Sequence, residues 1–288
     1  MPQAVVFIVA TPIGNLDDMT PRAISTLKNV DIIAAEDTRN TRKLLTHFGI
    51  SGKELLAYHD HGEEARAVGL LDRLQRDGLT MAVVSDAGTP CVADPGYRLV
   101  HLAKQRGIKV HPVPGASAVT TLVSASGLPS DRFTFVGFLP TKTQDLKAEI
   151  ASWSRCGGSI VYFEPTRRLE DSLVEIADVY PAARVAIGRE LTKLYEEIVT
   201  LPISEALSWV RGHSVLKGEA VVMVDLGASL ESLDGLVPGD AIEMITAAAR
   251  KGFKLGKSLK DLSKELAGAG LSRSELYQLL LDIKMSGS

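Results

Sequence analysis

Two cysteines, Cys91 and Cys156, are all that 288 residues contain. That is too few for a disulfide framework and predicts a reducing, cytoplasmic setting. Long apolar runs are missing as well: none approaches the roughly 20 residues that span a bilayer, so no membrane partner is expected. The start, "MPQAVVFIVATPIGN", has no basic region before its apolar run and reads as a first strand, not a signal peptide. Nor does either sign of charge dominate, because the net charge is −3. A nucleic-acid partner would therefore need a local basic surface. With 45% hydrophobic and 23% charged residues, the composition is that of an ordinary globular protein. Its length fits two compact domains plus an appendage.

The familiar short motifs are absent too. No GxGxxG occurs, so the usual dinucleotide or Rossmann methyltransferase glycine pattern is missing. "GFKLGKS" (252–258) has three residues between its glycines where a phosphate-binding P-loop needs four, and it follows no strand. "HDH" (59–61) offers two imidazoles and a carboxylate without a further ligand cluster at metal spacing, so no metal site is expected. GxSxG is absent, and neither cysteine has a histidine nearby.

What is present is strand, loop and helix, repeated. "AVVFIVA" (4–10), "VDIIAA" (30–35), "TMAVVS" (80–85) and "IKVHPV" (108–113) are apolar, β-rich runs suited to buried parallel strands. Helices separate them. Thr20 before Pro21 caps one, Asp94 before Pro95 is read as the cap of another that Gly107 closes, and a small-residue helix spans 117–127. The pattern predicts an α/β fold with a mostly parallel sheet over residues 1–131.

A second α/β domain with a mixed sheet is expected over 132–227. Its strands are "FTFVGFL" (133–139), as an edge strand or interdomain link, "GSIVYFE" (158–164), "ARVAIGREL" (183–191), "YEEIVTL" (195–201) and "EAVVMVDL" (219–226). The third and fourth have hairpin spacing. Residues 228–240 read as a linker, and 241–288 as a small helical domain with N-caps at Ser258 and Ser272, the latter completing a capping box with Glu275. That tail carries eight Lys/Arg against five Asp/Glu, where the rest has 24 against 30. It is either a nucleic-acid contact of helix-turn-helix type or a helical bundle with a solvated lysine face.

Four polar, Gly/Pro-rich loops follow the four N-terminal strands: "TPIGNLDDMT" (11–20), "EDTRNTRK" (36–43), "SDAGTPCVADPG" (85–96) and "PGASAV" (114–119). In an open parallel sheet the carboxyl edge is where ligands bind. Singly each loop is a turn or a cap. Together they outline a polar pocket for a group bearing positive charge and hydrogen-bonding atoms.

These blocks, with "YFEPTRRL", "RELTKLYEE" and "KGEAVVMV", run in the order seen in the ribosomal RNA small subunit methyltransferase I family. The chain resembles that family, within the tetrapyrrole methylase superfamily, from about Val5 to Asp225, and its helical tail resembles the family's C-terminal addition. "EDTR" and "SDAGTP…DPG" separate this branch from the precorrin and sirohaem methylases, which carry Gly-Asp-Pro in place of Gly88-Thr89-Pro90.

The resemblance implies S-adenosylmethionine in a cleft between two α/β domains. It would be approached by Pro12 and Gly14, lined by Asp86, Ala87, Gly88, Thr89 and Val92, and met by Ser117 and Ala118. Phe163 and Ala220 would add the far wall beside the adenosine. Asp86 stands three residues before Thr89 as the replacement for the superfamily's aspartate. The implied reaction is 2′-O-methylation of a cytidine ribose in the decoding centre of 16S rRNA. Candidates for the base are Glu36, Asp37 and Glu190; Arg39, Arg189 and Lys193 would orient phosphate or stabilise the oxyanion. A homodimer is also implied. RNA would be held by the basic tail, Lys142 and the "TRNTRK" cations, since no aromatic stacking motif occurs. The alternatives are a methylase of a small tetrapyrrole-like substrate and a non-catalytic, ribosome-associated S-adenosylmethionine sensor.

Overall fold

The computed structural model describes residues 4–58, 63–213, 216, 218–227, 245–250, 252–253, 257–266 and 273–286. Strands β1 (Val5–Val9), β2 (Ile32–Ala35), β3 (Glu54–Ala57), β4 (Thr80–Val84) and β5 (Lys109–Val113) form the first sheet in the order β3-β2-β4-β1-β5. All its pairings are parallel. The fifth strand, β3, is an addition to the four read from sequence. It is a four-residue edge strand paired only with β2, too short to show a pattern.

Both faces of this sheet are covered. Ile32, Ala34, Met81 and Val83 pack with Leu71 and Leu74 of α3 (Glu63–Asp77) and Leu99 and Ala103 of α4 (Tyr97–Gln105). Ile33, Ala35, Ala82 and Val84 face the other way, onto Ala23 and Leu27 of α1 (Pro21–Asn29) and Leu45 of α2 (Thr38–His47). Alternate residues thus enter different cores, which is why these strands read as unbroken apolar runs. Thr20 Oγ1 accepts from Ala23 N (3.1 Å) and caps α1, as its pairing with Pro21 predicts.

The second sheet, in the order β6-β7-β10-β8-β9, is mixed. Strands β6 (Phe133–Phe138) and β7 (Ser159–Pro165) are parallel. Strands β10 (Glu219–Asp225), β8 (Arg184–Arg189) and β9 (Glu197–Pro202) complete it in antiparallel fashion. The β8–β9 hairpin agrees with the spacing read from sequence, and β6 lies at the sheet edge. One face packs Ile160, Tyr162, Val185 and Val222 on α6 (Thr143–Ser152), α7 (Leu169–Val179) and α8 (Ile203–Gly212) through Ile150, Leu173, Ile176 and Ala206. The other face receives Val119 and Leu122 of α5 (Ala118–Ala125) against Val161, Ala186, Val221 and Met223. The helix that follows the last strand of the first sheet therefore seals the second.

Among the described C-terminal residues, Ile245, Ala249, Leu262, Leu266, Leu276, Leu280 and Ile283 form a separate small core. Ser258 caps the helix Leu259–Glu265 in a capping box with Asp261. The linker (228–240), the "HDH" stretch and the Ser272 cap lie outside the described residues. No described helix is long and apolar enough to cross a membrane.

Candidate active site between the two sheets

The loop after β4 is built on backbone. Thr11 N donates to Gly88 O (2.8 Å) and Gly88 N returns the bond to Thr11 O (3.1 Å), stitching the loops that follow β1 and β4. Gly88 has φ +80, and a Cβ there would sit 3.3 Å from Ile13 Cγ2. Thr89 Oγ1 donates to Ala116 O (3.2 Å), tying in the loop after β5. Farther along, Cys91 (φ 69) and Ala93 (φ 59) hold left-handed conformations, at a cost of order 1–2 kcal/mol each. Such strain persists where surrounding structure over-determines it, most often at functional sites.

One expectation is corrected here. Asp94 does not cap α4: the helix starts at Tyr97 and its N-cap is Gly96, at φ 124. An Asp-Pro pair before a helix is the usual cap signature, but the Gly96 turn moves the start beyond its reach. Asp94 lines the cleft instead. Burial pushes its carboxyl up to about 6, a hydrogen bond with Ser85 opposes the rise, and the charges of Glu36, Asp86 and Glu219 add to it.

The loop after β2 is locked to the same wall. Asp86 N donates to Glu36 Oε2 (3.1 Å), while the Asp86 carboxylate accepts from Asp37 N (3.2 Å) and Asn40 Nδ2 (2.9 Å). Asp37 caps α2 by accepting from Arg39 N (2.7 Å) and pairs with the Arg39 guanidinium (2.7 Å). Those Arg39 bonds hold its carboxyl down to about 2.

From the second sheet come Phe163, flanked by Phe135 and Phe138 at ring distances of 4.9 and 5.3 Å, and Ala220. The β6–β7 register slips between Phe135 and Phe138, where Gly137 takes φ +73, and this bulge turns Phe138 toward the cleft. Glu190 and Lys193 sit on the β8–β9 turn, paired at 2.9 Å. Arg189 is committed to Glu197 at 2.6 Å.

The resulting cleft is about 660 Å³. Asp86, Ala87, Gly88, Thr89, Val92, Ser117, Ala118, Phe163 and Ala220 line it, as do Glu36, Glu190 and Lys193. Asp37 and Arg39 are not in that lining, and Pro12 and Gly14 line an adjoining chamber. Asp94, which the sequence marks singly as a cap, and Glu219, Gly188, Gly218 and Phe138 also line the cleft. Gly218 and Glu219 stand next to Ala220 in "KGEAV", so only that neighbourhood pointed to them. Lys142 precedes α6, exposed.

The lining suits the expected cofactor. Five carboxylates, those of Glu36, Asp86, Asp94, Glu190 and Glu219, face one lysine, favouring a cation such as a sulfonium. Phe163, Phe138, Val92 and Val221 give apolar surface for a purine. At Gly218 a Cβ would come within 2.6 Å of Glu190 Oε1, so backbone approaches there where a side chain could not. Among the described residues no three His, Cys, Asp or Glu side chains are grouped as a metal site.

Comparison with known proteins agrees with this architecture. Residues 5–207 match the family model for tetrapyrrole (corrin/porphyrin) methylases. The chain is similar to the ribosomal RNA small subunit methyltransferase I of Escherichia coli O157:H7, 43% identical over 97% of this chain and 96% of that one. Its fold is similar to that of diphthine synthase, with a TM-score of 0.59 at 14% identity over 77% of this chain and 89% of the other. It is also similar to the uroporphyrin-III C-methyl transferase from Thermus thermophilus solved with S-adenyl homocysteine, with a TM-score of 0.53 at 16% identity over 76% and 96%. The chain belongs to the tetrapyrrole methylase family, in the branch of the ribosomal RNA small subunit methyltransferase I enzymes, and its methyl donor is S-adenosylmethionine.

Proposed function

We propose that the protein methylates the 2′-hydroxyl of a cytidine ribose in the decoding centre of 16S rRNA, within the small ribosomal subunit. What carries the reading is 43% identity, over 97% of the chain, to a relative named for the RNA of the small subunit. The "EDTR" and "SDAGTP…DPG" blocks, which mark this branch, support the ribose as acceptor.

When bound, S-adenosylmethionine supplies an electrophilic methyl group on a sulfonium. Residues Asp86 to Thr89, with Val92, Ser117, Ala118, Phe163 and Ala220, would hold it against a wall with few mobile side chains, which lowers the ordering cost of binding. A ribose hydroxyl must lose its proton as its oxygen gains the methyl group. An Asp94 carboxylate oxygen is suited to take that proton, because a base titrating near 6 works close to neutral pH. Glu36 and Glu190, which line the cleft, are the alternative bases, and Lys193, paired with Glu190, would steady a developing oxyanion. Alignment would contribute roughly 7–11 kcal/mol and proton transfer a further 10²–10⁴-fold. Asp37 and Arg39, already bound to each other, serve the RNA side better than the proton.

A homodimer belongs to the same proposal. Leu194 and Tyr195, 88% and 73% exposed beside the β8–β9 turn, are surface that a second copy would cover. Light scattering on the purified protein checks it.

The deciding experiment is calorimetry of S-adenosylmethionine binding, then labelled methyl donor with isolated small subunits and with free 16S rRNA. Label in RNA, resistant to alkali at one ribose, is the expected result. Binding without transfer to either RNA form would favour a sensor. Transfer to a tetrapyrrole-like acceptor alone would replace the substrate class.

A further inference from the structure

A second chamber of about 420 Å³ lies behind the loops that wall the cofactor cleft. Ile13, Asp86 and Ala87 line both spaces, so the two adjoin. We propose that this chamber seats the base of the acceptor nucleotide, with its ribose at the junction with the cleft, and that the exposed basic face of α2 beside it grips the flanking phosphates. The proposal rests on reading the chain as an RNA methyltransferase and adds where the RNA sits.

Transfer between two bound molecules needs their reacting atoms within roughly 3–3.5 Å, so donor and acceptor must occupy adjoining spaces. The chamber's chemistry suits an unstacked base. Pro12, Ile13, Leu16 and Leu44 supply apolar surface for its flat faces, and Asn40 and Asp86 supply polar atoms for its edge. Asn40 is already oriented, with Nδ2 donating to Asp86 Oδ2 at 2.9 Å. That bond takes one of the two amide N–H groups, fixes the amide's orientation and leaves the Asn40 carbonyl oxygen as an acceptor for an exocyclic amine, such as that of cytosine.

The same trough continues along α2. Lys43 and His47 line both the chamber and an outer groove of about 570 Å³ completed by Arg39, Arg42 and Thr46. These positions recur at three- and four-residue spacing, which puts them on one helical face. From Thr38 to His47 the helix carries three Lys/Arg and no carboxylate. Arg42 and Lys43 are exposed and make no ion pair among the described residues, in a chain whose net charge is −3. Cations left without a partner beside a concave site fit a phosphate backbone.

The test uses the full chain and two variants. Arg42→Glu/Lys43→Glu should weaken binding of 16S rRNA about a hundredfold at moderate salt and lower the salt slope of log K by about 2. Its S-adenosylmethionine affinity, read by calorimetry, should stay within twofold. Leu16→Trp, on a partly exposed turn where folding is little disturbed, should fill the chamber, cutting kcat/KM for RNA at least tenfold with cofactor affinity kept. Unchanged RNA affinity and salt slope in the double variant, with wild-type protein binding and methylating RNA, would overturn this proposal alone. So would a cofactor affinity that falls with Leu16→Trp, since the chamber would then belong to the cofactor cleft. Wild-type protein that binds S-adenosylmethionine but neither binds nor methylates RNA would overturn the underlying reading, and this with it.

Discussion

Asn15 donates its backbone N–H to Thr192 Oγ1 at 3.0 Å, joining the loop after β1 to the β8–β9 turn across 177 positions of sequence. Gly14, one residue earlier, makes that approach possible. A Cβ there would meet Lys193 Cγ at 2.5 Å, and Leu191 O and Thr192 Oγ1 at 2.8 Å. One of these is a backbone carbonyl, which cannot swing aside. Gly14→Ala is therefore expected to push the turn away and lower stability by about 1–3 kcal/mol. Because Glu190, Leu191 and Lys193 line the cleft, S-adenosylmethionine should bind several-fold more weakly. Thermal unfolding and calorimetry read the two effects. Wild-type melting temperature and affinity in the Gly14→Ala variant would show that the close approach is not needed.

Gly14 also marks the limit of what the sequence makes legible. Strands β1, β2, β4 and β5 were legible because residues buried on both faces leave unbroken apolar runs, and the loops behind them stood out by their Gly and Pro content. Which side of a loop faces which space is a tertiary matter. Gly14 answers to residues 191–193, so nothing local reveals that it lines the smaller chamber and not the larger cleft. Asp94 failed for a different reason: Asp-Pro ahead of a helix is the same signal whether the carboxylate caps or faces a ligand, and the Gly96 turn decides between them. Strand β3 was too short to carry a period.

Asp94 gives a pH signature. Its carboxyl titrates at about 6 in the folded protein, above the usual 3.8, chiefly because burial disfavours the charge. The folded state thus holds this proton more tightly than the unfolded one. Stability falls as pH rises from about 4 to about 6, and the full loss stands above that. After allowance for solvent screening of a half-exposed group, the loss is about 1–2 kcal/mol. Asp94→Asn should recover about that much at pH 7 and nothing at pH 4, by denaturant titration at the two values. If Asp94 also takes the ribose proton, the same variant should lose at least a hundredfold in kcat. Equal stability changes at both pH values would remove the titration account.

By the resemblance of Gly88-Thr89-Pro90 to the Gly-Asp-Pro of the precorrin and sirohaem methylases, Thr89 stands where those carry aspartate, yet it acts as a donor. Its hydroxyl gives a hydrogen bond to Ala116 O at 3.2 Å and so pins the loop after β4 to the loop after β5. An aspartate cannot give that bond when ionised, and its charge would face a carbonyl oxygen. Thr89→Asp is expected to weaken S-adenosylmethionine binding about tenfold, with Thr89→Ser close to wild type. Calorimetry on the pair separates the views: tighter binding by the Thr89→Asp variant would mean that the site lacks a carboxylate and does not need the hydroxyl.

Near the C-terminal end of β7, Glu164 is fully buried, with Arg168 Nη1 3.2 Å from its Oε1. The contact is an ion pair without hydrogen-bond alignment, since both Glu164 oxygens lack a hydrogen-bond partner among the described residues. Burial pushes this carboxyl up to about 7, and Arg168 pulls it part of the way back. Arg168 also donates to Leu139 O (3.3 Å) and Pro140 O (2.6 Å), so one guanidinium serves the buried charge and the end of β6 together. Removing either partner should have opposite effects. Arg168→Ala leaves a buried carboxylate and two carbonyls unserved and should lower stability at pH 8 by about 3–5 kcal/mol. Glu164→Gln keeps the shape and discards a charge that is held at a loss above pH 7, so it should be neutral at pH 5 and stabilising at pH 8. Folding stability measured at those two pH values for both variants decides it. A loss of stability at pH 8 in the Glu164→Gln variant would mean that the ion pair, and not the packing around it, holds this corner together.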